Sequence, residues 1–126
     1  MKKMTLFIIT LAGLVACSSP QAANETKEEQ AVLEQLLQAL AEKDYEAFLS
    51  NGTTEFRENI SEQAFDVVST ELGDLIGKGY TVEYIDELHQ KGHIVHLWKI
   101  TYRNSRENTL AKLVLVEGKT AGFWLL

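Results

Sequence analysis

Asp86 and His96 are two groups capable of proton exchange in a stretch otherwise built of alternating apolar residues. A hairpin that pairs Tyr80 with Tyr102, Val82 with Ile100 and Tyr84 with Trp98 also sets Asp86 opposite His96 and Leu88 opposite Ile94. A carboxylate beside an imidazole can hold or move a proton, which makes this pair the best acid-base candidate in the chain. The competing reading is a solvated ionic pair near a hairpin tip. Tyr45, Tyr84, Trp98 and Tyr102 could line a cavity for a small apolar ligand. His89, His93 and His96 do not predict a metal site, because His93 and His96 differ by three on a strand and point to opposite faces. The chain has no Gly-x-Ser-x-Gly elbow, phosphate loop or Cys-x-x-Cys, and no cofactor is expected.

The elements that must position these groups fall into two blocks. Thr26-Lys27-Glu28-Glu29 has the form of a capping box, and Val32, Leu33, Leu36, Leu37 and Leu40 follow at helical spacing. Asp44 can cap a short second helix through Tyr45, Phe48 and Leu49, ended by Asn51-Gly52, both tolerant of a left-handed backbone. A turn or short helix is expected around Thr54 to Asn59. Ser61 caps a third helix with Phe65, Val68, Leu72, Leu75 and Ile76 on one stripe, stopped by Gly77 and Gly79. From Tyr80 the period changes to two, giving strands near 80–88, 93–103, 109–116 and 120–126 joined by short polar turns, an antiparallel meander. The inward set continues through Leu113, Leu115, Ala121, Phe123 and Leu125, beneath three helices.

The outward parity is unusual. Val95, Leu97, Val114, Val116, Trp124 and Leu126 fall on the second face of the sheet, where a single-layer sheet should be polar. Such a patch marks an interface, for a homodimer or another protein of the same compartment, unless a strongly bent sheet hides it.

Residues Leu14-Val15-Ala16-Cys17 close a run of 13 uncharged residues, Met4 to Ala16, behind Lys2 and Lys3. That run is too short to span a bilayer, which takes about 20 apolar residues. It resembles the lipobox of bacterial lipoproteins, which implies a signal peptide over 1–16, acylation of Cys17 as palmitate-bearing lipid anchor, and a tether over 17–25 ahead of a domain over 26–126. The location implied is the cell envelope: the periplasmic side of the outer membrane in a Gram-negative cell, the outer leaflet of the plasma membrane in a Gram-positive one. Cys17 is the only cysteine, so no disulfide is expected. The net charge of −6 becomes −8 once residues 1–16 and their two lysines are removed, and no basic cluster offers a footprint for nucleic acid.

The helices-then-meander order, with Ala41-Glu42-Lys43-Asp44-Tyr45-Glu46-Ala47-Phe48 after helix one and Gly118-Lys119-Thr120-Ala121-Gly122-Phe123-Trp124-Leu125-Leu126 at the end, resembles small bacterial lipoproteins with a cystatin-like domain. These belong to the ketosteroid isomerase and nuclear transport factor-like superfamily. The resemblance implies an α+β fold, three N-terminal helices packed on a curved four-stranded antiparallel meander. It implies a non-enzymatic ligand-binding or protein-interaction module held on a membrane. The alternative is a cofactor-independent isomerase- or cyclase-like enzyme using Asp86 and His96. A fold of this kind does not fix function.

Overall fold

The structure, a computed structural model, describes residues 26–126. The expected signal peptide, Cys17 and the tether lie outside the described residues. The described residues form an α+β arrangement of four helices followed by a four-stranded antiparallel sheet in the order β1-β2-β3-β4. The described part of helix α1 covers residues 26–42, α2 is Tyr45–Leu49, α3 Thr54–Asn59 and α4 Glu62–Gly77. The strands are β1 Tyr80–Gln90, β2 His93–Tyr102, β3 Asn108–Val116 and β4 Lys119–Leu125. The segment at 54–59 is therefore a helix, and among the described residues four helices precede the sheet rather than three.

Local chemistry sets the helix ends. Residue 26 is already helical, so Thr26 does not stand ahead of α1 as its cap. At the other end Lys43 adopts a φ of 59°, and the amides of Lys43 and Asp44 reach back to the carbonyls of Leu40 and Ala39. That is a Schellman closure with lysine where glycine is usual. Asp44, Thr53 and Ser61 each accept a backbone N–H from the residue three positions on, capping α2, α3 and α4. Gly52 does not take the expected left-handed turn. It lies in a parallel bridge with Thr120, and a Cβ there would stand 2.6 Å from the Phe56 ring. The amide of Thr53 donates to the Thr120 carbonyl and that of Thr120 to the Asn51 carbonyl, both at 2.9 Å, fastening the α2–α3 loop to the start of β4.

Helix α1 buries Leu33, Leu36, Leu37, Ala39 and Leu40 against the sheet residues Trp98, Ile100, Tyr102, Ala111 and Leu113. Helix α4 meets the end of α1 through small residues. The Ser69 hydroxyl donates to the Leu40 carbonyl at 2.8 Å, and a Cβ on Gly73 would lie 2.8 Å from the same oxygen. Phe48 from α2 touches Phe56, Phe65 and Phe123 with ring centroids 5.1 to 6.0 Å apart, joining α2, α3, α4 and β4.

Both outer hairpins contain the same irregularity. Two-residue turns with positive φ throughout, Lys91-Gly92 (51° and 80°) and Glu117-Gly118 (52° and 80°), match the right-handed strand twist. They pair Gln90 with His93 and Val116 with Lys119. Further from the tips, Tyr84 pairs with Trp98 and Val114 with Gly122, one residue out of step with those turns. A bulge in each hairpin absorbs the difference, leaving Ile85 and Ala121 as the unmatched residues.

Candidate functional site

The bulge at Ile85 decides where the acid-base candidates go. Tyr80, Val82 and Tyr84 hold the expected partners Tyr102, Ile100 and Trp98, but beyond the bulge Asp86 pairs with Leu97, Glu87 with His96 and Leu88 with Val95. Asp86 thus shares the outer face with Leu97, while His96 lies on the inner face with Tyr84 and Trp98. The expected pairing of Asp86 with His96 is corrected, and so is that of Leu88 with Ile94. The Asp86 carboxylate instead accepts the amide of Glu87 at 2.7 Å and is exposed. No proton can pass between a carboxylate and an imidazole on opposite sides of one sheet.

On the inner face His96 gains a different neighbour. Its Nδ1 lies 3.0 Å from the Tyr84 hydroxyl, and the rings of Tyr84, His96 and Trp98 cluster with centroids 5.3 to 6.0 Å apart. Burial, reinforced by the carboxylates of Glu87, Asp86 and Glu29, raises the Tyr84 phenol above its ordinary pKa. The phenol therefore stays protonated, and when it donates to Nδ1 the imidazole proton rests on Nε2. Glu29 of α1 was not expected here. One of its carboxylate oxygens is shut off from water without a hydrogen-bond partner, as is the Trp98 indole N–H. Its position four residues before Leu33, on the apolar stripe of α1, is the sequence signal that places it inward.

The four aromatic candidates do not surround one open cavity. Trp98 is fully buried, and Tyr102 is nearly so, donating to the Thr109 hydroxyl at 2.8 Å. Tyr45 donates to the Ile60 carbonyl and stacks obliquely on Phe65. The apolar cavity between helices and sheet measures about 130 Å³ and is lined by residues including Leu40, Phe48, Phe65, Val68 and Phe123, none of them a predicted ligand contact. Drug-sized ligands occupy roughly 300–1,000 Å³, so this space suits a packing defect better than a binding chamber. A wider, open depression lies at the hairpin-tip end, bordered by Glu28 and Glu29 of α1, His93, Ile94 and His96 of β2, and Leu115 and Val116 of β3.

The outer face carries the more extensive feature. Across the sheet run Glu83–Lys99–Leu110, then Asp86–Leu97–Lys112–Trp124, then Leu88–Val95–Val114–Gly122. Leu126 extends the first row through two backbone hydrogen bonds with Leu110. Trp124 leans over Gly122, where any Cβ would run into the indole, and the Lys112 ammonium sits 5.4 Å above its ring. Val95 and Val114 lie on this face but are almost closed off, at 5% and 8% exposure. Leu97 is half-buried, while Val116, Trp124 and Leu126 stand exposed. Ile85 also lies on this side, as its parity requires, and Leu88, inward by parity, is delivered here by the bulge.

Among the described residues no helix is long and apolar enough to cross a membrane, and no group of three or more histidine, cysteine or acidic side chains is arranged to hold a metal ion. No family model matches the chain, and neither the curated proteins nor the solved structures contain a similar one.

Proposed function

We propose that this chain is a bacterial envelope lipoprotein, anchored through Cys17, whose cystatin-like domain acts without catalysis by binding a protein partner on the outer face of its sheet. The observation that carries the reading is the contrast between the two faces. The middle of the inner face is filled, with Trp98, Ile100, Ala111 and Leu113 fully buried and an apolar cavity of about 130 Å³ beside Phe48, and the space on this side widens only into the open depression at the hairpin-tip end. The outer face presents Ile85, Leu88, Trp124 and Leu126 to solvent around the closed pair Val95 and Val114. Exposed apolar surface costs solubility, and a contiguous patch is characteristic of an interface. An exposed tryptophan beneath a lysine is the kind of anchor around which protein contacts concentrate. The isomerase- or cyclase-like alternative loses its dyad, since Asp86 and His96 face opposite ways.

Sedimentation and cross-linking of the lipidated protein, extracted in mild detergent from its own membrane, test the reading. The wild type should run with a partner, either a second copy or another envelope protein. Trp124→Asp should run alone while keeping its circular dichroism spectrum. A wild type that is monomeric at every concentration and cross-links to nothing would exclude the role.

A further inference from the structure

We infer that the paired hairpin tips, Leu88–Ile94 and Val116–Lys119, form a membrane-facing rim that rests in the headgroup region of the bilayer carrying the anchor. This goes beyond the lateral protein contact and rests on the lipidation of Cys17. The first support is where the anchored end of the chain enters the domain. Glu28 and Glu29, near the beginning of the described part of α1, border the same depression as Gly92 and Gly118 of the two tips. Glu29 also acts on the Tyr84 phenol and Glu34 on that of Tyr80, so α1 runs from the tips toward the opposite end of the sheet. The eight residues 18–25 between Cys17 and the described part of the chain can span at most about 28 Å. The tips are therefore the end of the domain held nearest the lipid.

The second support is the chemistry of that end. Leu88, Ile94 and Val116 are 40%, 42% and 38% exposed, three of the seven strongly exposed large apolar side chains among the described residues. They project from both sides of the sheet. Leu88 pairs with Val95 and belongs with Val116 to the outer face, whereas Ile94 has the inward parity of His96 and Trp98. A protein docked on the outer face would leave Ile94 in water. A headgroup layer surrounds a projecting edge from all sides and accepts apolar groups to a depth of roughly 5–10 Å. Lys91, exposed in the first turn, and Lys119, exposed at the start of β4 beside the second, can lay their methylenes along this edge and hold their ammonium groups at the phosphate level.

The test uses the full chain, matured in its own cell and reconstituted into phosphatidylethanolamine–phosphatidylglycerol vesicles. The thiol of acylated Cys17 is consumed, so Ile94→Cys, Val116→Cys and, at the opposite end, Asn104→Cys each offer a single thiol for a polarity-sensitive dye. The rim predicts blue-shifted emission at 94 and 116, quenched by lipids spin-labelled near the headgroup, with neither effect at 104. Protein contact alone would shift the emission without lipid quenching, and that result overturns the proposal. Vesicle-bound protein with all three dyes in water overturns the rim and leaves the anchor standing. Protein that stays off the vesicles, with no acyl mass on Cys17, overturns both.

Discussion

Three tyrosines of the sheet are held above their ordinary ionisation range. Burial is the leading cause for Tyr80, Tyr84 and Tyr102, with neighbouring carboxylates adding to the first two and the Thr109 hydrogen bond partly opposing it in the third. A folded-state pKa above the unfolded value means that the native state keeps its proton longer. The stabilisation is complete below the ordinary phenol range and is lost as pH climbs through and above it. The urea midpoint should therefore fall between about pH 8 and about pH 11, around the unperturbed phenol value near 10. Tyr102→Phe should flatten part of that fall, since the phenol it removes is 4% exposed. Identical slopes in the two proteins would remove Tyr102 from the explanation.

At the scale of elements, the bulges reconcile two demands that disagree by one residue. The tight turns dictate the pairing at the tips, and the packing of Tyr84 on Trp98 dictates it at the base. Deleting Ile85 would join the two registers directly, with Tyr84 still inward and Asp86 outward. Deleting Glu83 would shift the stretch Tyr80–Val82 by one place and turn Val82 out of the core. The expected outcome is a folded, slightly altered protein for the Ile85 deletion and a loss of about 2 kcal/mol for the Glu83 deletion, the scale of exposing the half-buried Tyr80 and Val82 together. Parallel denaturation curves check this, and equal damage from both deletions would mean that the bulge itself is required.

For the molecule as a whole, the aromatic junction at Phe48 does what a disulfide cannot do in a chain with one cysteine. It touches a ring from each of α3, α4 and β4, so its loss loosens four elements together. Phe48→Ala should cost about 3–5 kcal/mol. A domain of about 100 residues is stable by only about 5–15 kcal/mol in total. At about 4–8 °C per kcal/mol, the melting temperature should drop by at least about 12 °C. Val67→Ala, at a side chain 54% exposed on α4, should melt almost with the wild type. Calorimetry of the two variants compares them directly, and a Phe48→Ala protein as stable as Val67→Ala would deny the junction its role. With the tips toward lipid, the apolar outer face would be presented sideways, where a partner on the same membrane can reach it.

Periodicity and caps were enough to read the order of elements. The change from 3.6 to 2 at Tyr80, the caps at Asp44 and Ser61, and the turn residues at 91–92 and 117–118 are local signals, and local sterics and hydrogen bonds decide them. The pairing of Tyr84 with Trp98 was legible as well, because large apolar groups must share a face. The side of the sheet taken by Asp86 was not, since it depends on whether turn geometry or ring packing sets the register at each point along the hairpin. Only the folded sheet settles that competition, by placing Ile85 in a bulge and sending Asp86 and His96 to opposite faces. Closure of the inner space is likewise tertiary: side-chain types show that a core exists, but its remaining volume depends on how closely Ser69 and Gly73 let α4 approach α1.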